Sequence, residues 1–339
     1  MTAIFDYLNP YAYAMRLRRW FYERGLLKAS HPGVPVISVG NLSLGGTGKS
    51  PMVLLVAHYL TQKRQRRVAI VSRGYKRRSK GLVVVSDARR ILASIEDSGD
   101  EAQMLAQSLP GTIVIVSEDR LRGALEAKRL GANVILLDDG FQHQRLQRDL
   151  DIVLIDAERP LSAVIPFGRF REPFSAVRAA GAIAFTNASD KSRLRDYWER
   201  LKPYANTNVV VAAIHAIPIA LESLRDGEQL PLAAIRAKRV LALSGIASPA
   251  RFHRMLESLG AEVISRSLGD HAEYSQALAR SLVSDAERSG AQLLVTTMKD
   301  AVKSRGYFGQ SSLPVLVLKQ ELEFLSGEQS LYDSIDRIL

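Results

Sequence analysis

Residues 36–51 read Val-Ile-Ser-Val-Gly-Asn-Leu-Ser-Leu-Gly-Gly-Thr-Gly-Lys-Ser-Pro, an apolar run, then a glycine-rich loop, then residues suited to open a helix. Gly45, Gly46 and Gly48 let backbone N–H groups approach phosphate oxygens closely, and a helix starting there turns its positive end to the same place. Lys49 is placed to reach the β- and γ-phosphates of a nucleotide, and the Ser50 hydroxyl to ligate Mg²⁺. Pro51 suits the first helical turn, where its missing donor costs nothing. Ser43 stands where the commoner form of this loop has its first glycine. The expected phosphate-binding set is therefore Ser43, Leu44, Gly45, Gly46, Thr47, Gly48, Lys49 and Ser50. A purely structural glycine turn is the competing reading, and the strand–loop–helix context argues against it.

A second signal is Val134-Ile-Leu-Leu-Asp138-Asp139-Gly-Phe-Gln-His143. Four apolar residues ending in Asp put a carboxylate at the carboxyl end of a buried strand, beside the phosphate loop if the two strands are neighbours. Asp138, Asp139 or both are expected on Mg²⁺, directly or through water, and Gln142 and His143 could face the same crevice. Four further groups are weak by themselves. Asp100 and Glu101 follow Gly99 and could simply cap a helix. Asp270-His271 follows a strand, Arg171-Glu172-Pro173 could be a surface turn with a local ion pair, and Lys299-Asp300 could cap the next helix.

The elements that must position these residues are legible as short β-branched runs at 34–39, 68–71, 82–85, 113–116, 134–137, 152–155 and 183–185. They alternate with helical stretches near 50–62, 100–108 and 119–130, and near-continuous apolar strands of this kind belong to a sheet covered on both faces. The fold class is thus α/β, a doubly wound, mostly parallel P-loop sheet spanning 29–205. A polar linker or hinge is expected over 206–230. Runs at 240–243, 263–264, 293–296 and 315–318, with helices near 249–259 and 275–288, point to a second, smaller α/β domain over 231–339.

Composition narrows the classes. The chain has 339 residues, 47% hydrophobic and 24% charged, which is an ordinary globular balance, and zero cysteines exclude disulfides, thiolate metal sites and cysteine nucleophiles. Its net charge of +11 is concentrated: no acidic residue occurs between Glu23 and Asp87, where twelve Lys and Arg fall. Such a stretch suits polyanions or an anionic membrane surface, and Arg64, Arg66 and Arg67 are expected among the groups that meet them. Only Tyr75 interleaves with the basic residues of 63–80, so a stacking platform for nucleic acid is not expected. Over residues 1–28 a helix would group Tyr13, Leu17, Trp20 and Phe21, with Arg16, Arg18, Arg19 and Arg24 around them. That is the pattern of a helix lying in a membrane interface. No segment is long and apolar enough to span a bilayer.

Taken together, Val39-Gly-Asn41 before the glycine loop, Ser72-Arg-Gly-Tyr75, Gly99-Asp-Glu101, Asp138-Asp-Gly-Phe-Gln-His143, Arg171-Glu-Pro173, Asp270-His271 and Lys299-Asp300 resemble the tetraacyldisaccharide 4′-kinase (lipid A 4′-kinase) family, in order over most of the chain. Where the family often has Lys-Thr-Pro, Ser50 keeps the hydroxyl; the family's Gly-x-Leu-Arg-Glu-Pro appears as Gly168-Arg-Phe-Arg-Glu-Pro173. The resemblance implies transfer of the γ-phosphoryl of ATP, with Mg²⁺, to the 4′-hydroxyl of a tetraacylated glucosamine disaccharide 1-phosphate, forming lipid IVA in lipid A biosynthesis. It implies Asp100 and His271 as a base dyad drawn from the two domains, so that closure is expected. Lys49 and Arg171 would offset phosphoryl charge, and Ser50, Asp138, Asp139 and Glu172 would hold the metal. It further implies a peripheral protein, expected to be a monomer, on the cytoplasmic face of the inner membrane and without a nucleic-acid partner. The rival reading is a membrane-associated P-loop ATPase switch that regulates a partner. The absence of an Asn-Lys-x-Asp pattern argues against a GTPase.

Overall fold

Strands as apolar as Val36–Asn41, Val134–Asp138 and Leu150–Asp156 leave no face for water, and all three are buried along their whole length. The computed structural model describes residues 9–188, 190–269, 272–309 and 311–339. The chain divides into two compact units, Met1–His215 with Leu322–Leu339, and Ala216–Glu321.

The first unit contains α1 (Pro10–Glu23), β1 (Val36–Asn41), α2 (Lys49–His58), β2 (Val68–Ser72), β3 (Val83–Asp87), α3 (Asp100–Ser108), β4 (Ile113–Val116), α4 (Arg120–Arg129), β5 (Val134–Asp138), β6 (Leu150–Asp156), β7 (Ala182–Thr186), α5 (Lys191–Leu201) and the start of β8 (Val210–Ser223). Its strands run in the order β8-β7-β6-β1-β5-β2-β4-β3. All pairs are parallel except β3 with β4. Because β1 lies between β5 and β6, the loops leaving these three strands emerge side by side. Val39 is opposite Asp138 in the register, which brings the carboxylate pair next to the phosphate loop.

The second unit holds the rest of β8, then β9 (Gln229–Leu230), β10 (Arg239–Ser244), α6 (Pro249–Ser258), β11 (Glu262–Ser267), α7 (Gln276–Arg288), β12 (Leu293–Thr297), α8 (Met298–Phe308) and most of β13 (Val315–Ser326). Strands β11-β10-β12-β13 are parallel. Alternation along β10 sends Leu241 and Leu243 into one core with Leu282 and Leu294, and Val240 and Ala242 into another with Leu256 and Val295. Asp300 is buried here. It accepts from the Gly245 N–H at 2.9 Å and the Thr297 hydroxyl at 2.7 Å, fixing the turn after β10.

Three expectations differ from what the chain does. The 206–230 segment is largely strand: Val210, Val211, Ile214, Ile217 and Ile219 keep it extended past Pro218, and Leu221 pairs back to Leu230. The division between units falls inside β8 and β13. The C-terminal residues also return to the first unit as α9 (Glu328–Asp336). There the Tyr332 ring stacks on Tyr59 at 3.9 Å, where α2 runs on into a π-helical turn. Asp336 accepts from the Tyr59 hydroxyl at 2.9 Å and from Arg64 Nε at 2.6 Å, and Arg66 donates to the Leu339 carbonyl at 3.0 Å. Arg64 and Arg66, expected at an anionic surface, are thus partnered within the chain, because the basic stretch lies where the C-terminal helix brings its carboxylate.

Arg64 and the Tyr59 hydroxyl hold the Asp336 carboxyl below its ordinary range. A lowered carboxylate stabilises the fold above its unfolded pKa and loses that contribution as pH falls through the folded one. Asp336→Ala should therefore lower urea stability by about 1 kcal/mol at pH 7. The difference from wild type should shrink as pH falls below the ordinary aspartate range in the same titration.

Candidate active site

The phosphate loop gets its shape from three supports. Gly48 opens α2 in the left-handed region at φ 86°, where a side chain would be strained. Thr47 is fully buried; its hydroxyl accepts from Asn41 Nδ2 at 2.6 Å, and its carbonyl accepts from the Thr186 hydroxyl at 2.9 Å. The entrance of the loop is paired like a strand with residues 169–171. Leu44 N–H donates to the Arg169 carbonyl at 2.7 Å, Arg171 N–H donates to the Leu42 carbonyl at 2.6 Å, and Ser43 faces Phe170 across an antiparallel bridge. The Thr47 side chain thus braces the loop. Lys49 and Ser50 stand in the first turn of α2, the position their sequence pattern requires.

Asp138 ends β5 and Asp139 turns away from it at φ 56°, a left-handed conformation that an aspartate tolerates better than most residues. The turn is locked by Asp139 N–H donating to the Val39 carbonyl at 2.9 Å. Gly40 must be glycine, since a Cβ there would lie 2.5 Å from that of Phe141. The two carboxylates then meet different surroundings. Arg171 grips Asp139 with both terminal nitrogens, at 2.9 and 2.7 Å, and Lys49 Nζ lies 3.8 Å away. Burial pushes the Asp139 carboxyl up, but the Arg171 hydrogen bonds and the charges of Lys49, Arg171 and Arg120 outweigh it and hold the pKa at about 2. Asp138 is 2% exposed, and its Oδ1 has no hydrogen-bond partner. Burial, then Glu101 and Asp139, push its pKa up to about 7 against Lys49 and Arg120.

The remaining candidates divide. Gln142 donates to the Asn41 carbonyl at 2.9 Å, so it braces the strand end. Burial and the nearby arginines hold the His143 imidazole down at about 4, neutral at physiological pH. Asp100 begins α3, whose cap is Gly99, and the neighbouring Glu101 is close enough for its charge to act on Asp138. Glu172, expected on the metal, is 3% exposed and paired with Arg19 of α1 at 2.6 Å. Its carboxylate, like that of Asp139, is partnered by an arginine in this structure. Asp270 and His271 lie outside the described residues. Sequence reading missed Asn41 as the hub joining Thr47, Gln142 and Arg171, and Arg120 as a buried cation whose charge reaches both carboxylates. Asn41 stood in the Val-Gly-Asn motif without a role, and Arg120 has no local signal beyond its type.

Residues suited to Mg²⁺ are present. An orphaned buried carboxylate oxygen on Asp138, beside a charged Asp139 and a loop carrying Ser50, is a hard-oxygen donor set for such an ion. The raised Asp138 pKa carries a consequence for the metal-free protein: charge on this group is opposed by the fold, so the penalty grows as pH rises from about 4 to about 7. Asp138→Asn should raise the melting temperature without Mg²⁺ at pH 8, and the gain should shrink toward pH 4 in a calorimetric series.

Residues 6–339 match the family model for tetraacyldisaccharide-1-P 4′-kinase. A tetraacyldisaccharide 4′-kinase of Anaeromyxobacter sp. (strain K) is 40% identical over 338 residues, covering 97% of this chain and 88% of that protein. Its counterpart from Aquifex aeolicus (strain VF5) is 36% identical over 307 residues, 89% of each. The crystal structure of the "apo" form of LpxK from Aquifex aeolicus in complex with ATP superposes with a TM-score of 0.78 at 34% identity, covering 99% of this chain and 98% of that one. With the phosphate loop, the paired carboxylates and the match running the same length of sequence, the chain belongs to the tetraacyldisaccharide 4′-kinase family.

Proposed function

We propose that this chain transfers the γ-phosphoryl group of ATP to the 4′-hydroxyl of a tetraacylated glucosamine disaccharide 1-phosphate, the step that yields lipid IVA. The observation that carries the reading is the cluster of Lys49, Asp138 and Asp139 beside a phosphate loop, in a chain of this family. The bond formed joins the 4′-oxygen to the γ-phosphorus, the bond broken is that to the β,γ-bridging oxygen, and the hydroxyl proton passes to a base. Ser50 and the two aspartates would hold Mg²⁺, which would supply neutralisation of phosphate charge. Lys49 adds positive charge where negative charge develops.

Arg171 works through Asp139: both of its terminal nitrogens are committed to Asp139, and one also to Asn41. It thereby keeps Asp139 charged at every working pH. Asp100 and His271 remain the proposed base pair, on the family pattern and on the place of Asp100 at the start of the helix whose Glu101 acts on Asp138. Proton removal by such a pair is worth about 10²–10⁴ in rate.

The lipid is expected to be met at a membrane surface. Helix α1 buries Asn9 and Ala12 against the first unit but leaves Tyr13 63%, Leu17 38% and Trp20 44% exposed, with the Arg24 guanidinium over the Trp20 ring. An apolar stripe edged with arginines suits the headgroup boundary. Among the described residues no helix is long and apolar enough to cross a membrane, which fits attachment at one face.

Incubation with γ-labelled ATP, Mg²⁺ and detergent-dispersed disaccharide 1-phosphate should label the lipid stoichiometrically. Release of inorganic phosphate alone would favour the ATPase-switch reading. Lys49→Ala should lower kcat about 10²–10³-fold, and Asp100→Ala and His271→Ala each about 10²–10⁴-fold, with the double variant little below the worse single one. Full activity in both single variants under saturating substrate removes the base-pair assignment.

A further inference from the structure

Residues 169–171 run along the entrance of the phosphate loop, hydrogen-bonded to it through the Leu44 N–H and the Leu42 carbonyl. Within this segment Arg171 grips Asp139 and Asn41. Its chain neighbours Phe170 and Glu172 both meet the N-terminal helix. Phe170 packs with Ala12 and Val164, and Glu172 accepts from Arg19 at 2.6 Å. Arg19 reaches the second catalytic loop as well, its guanidinium lying 5.0 Å from the centre of the Phe141 ring, two residues beyond Asp139. One arginine on the helix that presents Tyr13, Leu17 and Trp20 outward thus touches the neighbours of both members of the Arg171–Asp139 pair.

The burial of this contact sets its importance. The Arg19 and Glu172 side chains are 13% and 4% exposed, so Glu172 has no water to fall back on and Arg19 little. Removing one partner leaves a buried charge that the surrounding loop must move to solvate, and the loop that must move is the one holding Arg171. Displacements of about 1 Å at a reacting centre cost on the order of 10²-fold in rate. A helix serving only to catch lipid would not need a buried ion pair directed behind the active site.

We propose that Arg19 is a positioning residue for phosphoryl transfer, acting through Glu172 and Phe141, so that seating α1 on the first unit is part of assembling the site. The inference rests on the kinase reading above. Its test compares wild type, Arg19→Gln, Arg19→Lys, Glu172→Gln, the Arg19→Gln/Glu172→Gln double variant and Trp20→Ala in the labelled-ATP assay. The assay is run at saturating ATP and Mg²⁺, below every melting temperature, with kcat and lipid KM read separately. Arg19→Gln and Glu172→Gln should each lower kcat about 10–100-fold with little change in lipid KM. The double variant should be no slower than the worse single one, because the two act as a pair. Trp20→Ala should raise lipid KM and leave kcat in place. Arg19→Lys keeps a charge against Glu172, and a kcat between those of wild type and Arg19→Gln is expected; it carries the test if Arg19→Gln does not fold.

The proposal is overturned if the Arg19 variants shift only lipid KM, as Trp20→Ala does, or if the losses at Arg19 and Glu172 multiply in the double variant. Wild-type protein that labels no lipid would instead overturn the kinase reading.

Discussion

Two adjacent carboxylates beside one lysine, one buried and the other part-exposed, do not share their surroundings equally, and the site depends on how they are divided. Arg171 gives its full fork to Asp139, which is held at about 2, while Asp138 keeps an unpartnered oxygen and is pushed up to about 7. One group is a fixed negative charge and the other a receptive ligand. The backbone serves this division: the left-handed turn at Asp139 is held by its N–H on the Val39 carbonyl, and Gly40 lets the Phe141 loop press against β1. The lip of residues 169–171, hydrogen-bonded to the entrance of the phosphate loop, delivers the arginine.

Much of this was legible in the sequence because its signals are local. A strand, glycines and Lys-Ser-Pro occupy one stretch of chain, and four apolar residues ending in two aspartates fix a strand end by periodicity. What escaped came from partners far apart in sequence. Arg19 and Glu172 are separated by 153 residues, and Arg64 and Asp336 by 272. No local pattern announces such pairs, so Glu172 reads as a metal ligand by type and Arg64 as a surface charge. The supposed linker escaped for another reason: its polar residues turn the chain into β9, but the β-branched residues before them extend a strand through the boundary between the units.

The positive excess is sharpened in the same way. Arg64, Arg66 and Arg77 are tied to Asp336, the Leu339 carbonyl and Glu118, so these three of the twelve basic residues of the stretch have partners within the chain. Arg73, Lys76, Arg78 and Lys80 remain exposed beyond the carboxyl end of β2, on the sheet edge where the phosphate loop and the carboxylates also emerge. That placement suits an anionic substrate better than a diffuse attraction to polyanions would.

The most direct test of the unequal carboxylates is a carbon-13 NMR titration of labelled aspartate in the metal-free protein, with Asp138→Asn and Asp139→Asn used to assign the two signals. One carboxylate should titrate near 2 and its neighbour near 7. In Arg171→Ala the lower midpoint should rise toward the ordinary aspartate range. Two midpoints together near about 4 in the wild-type protein, or a low midpoint unmoved by loss of Arg171, would contradict the account.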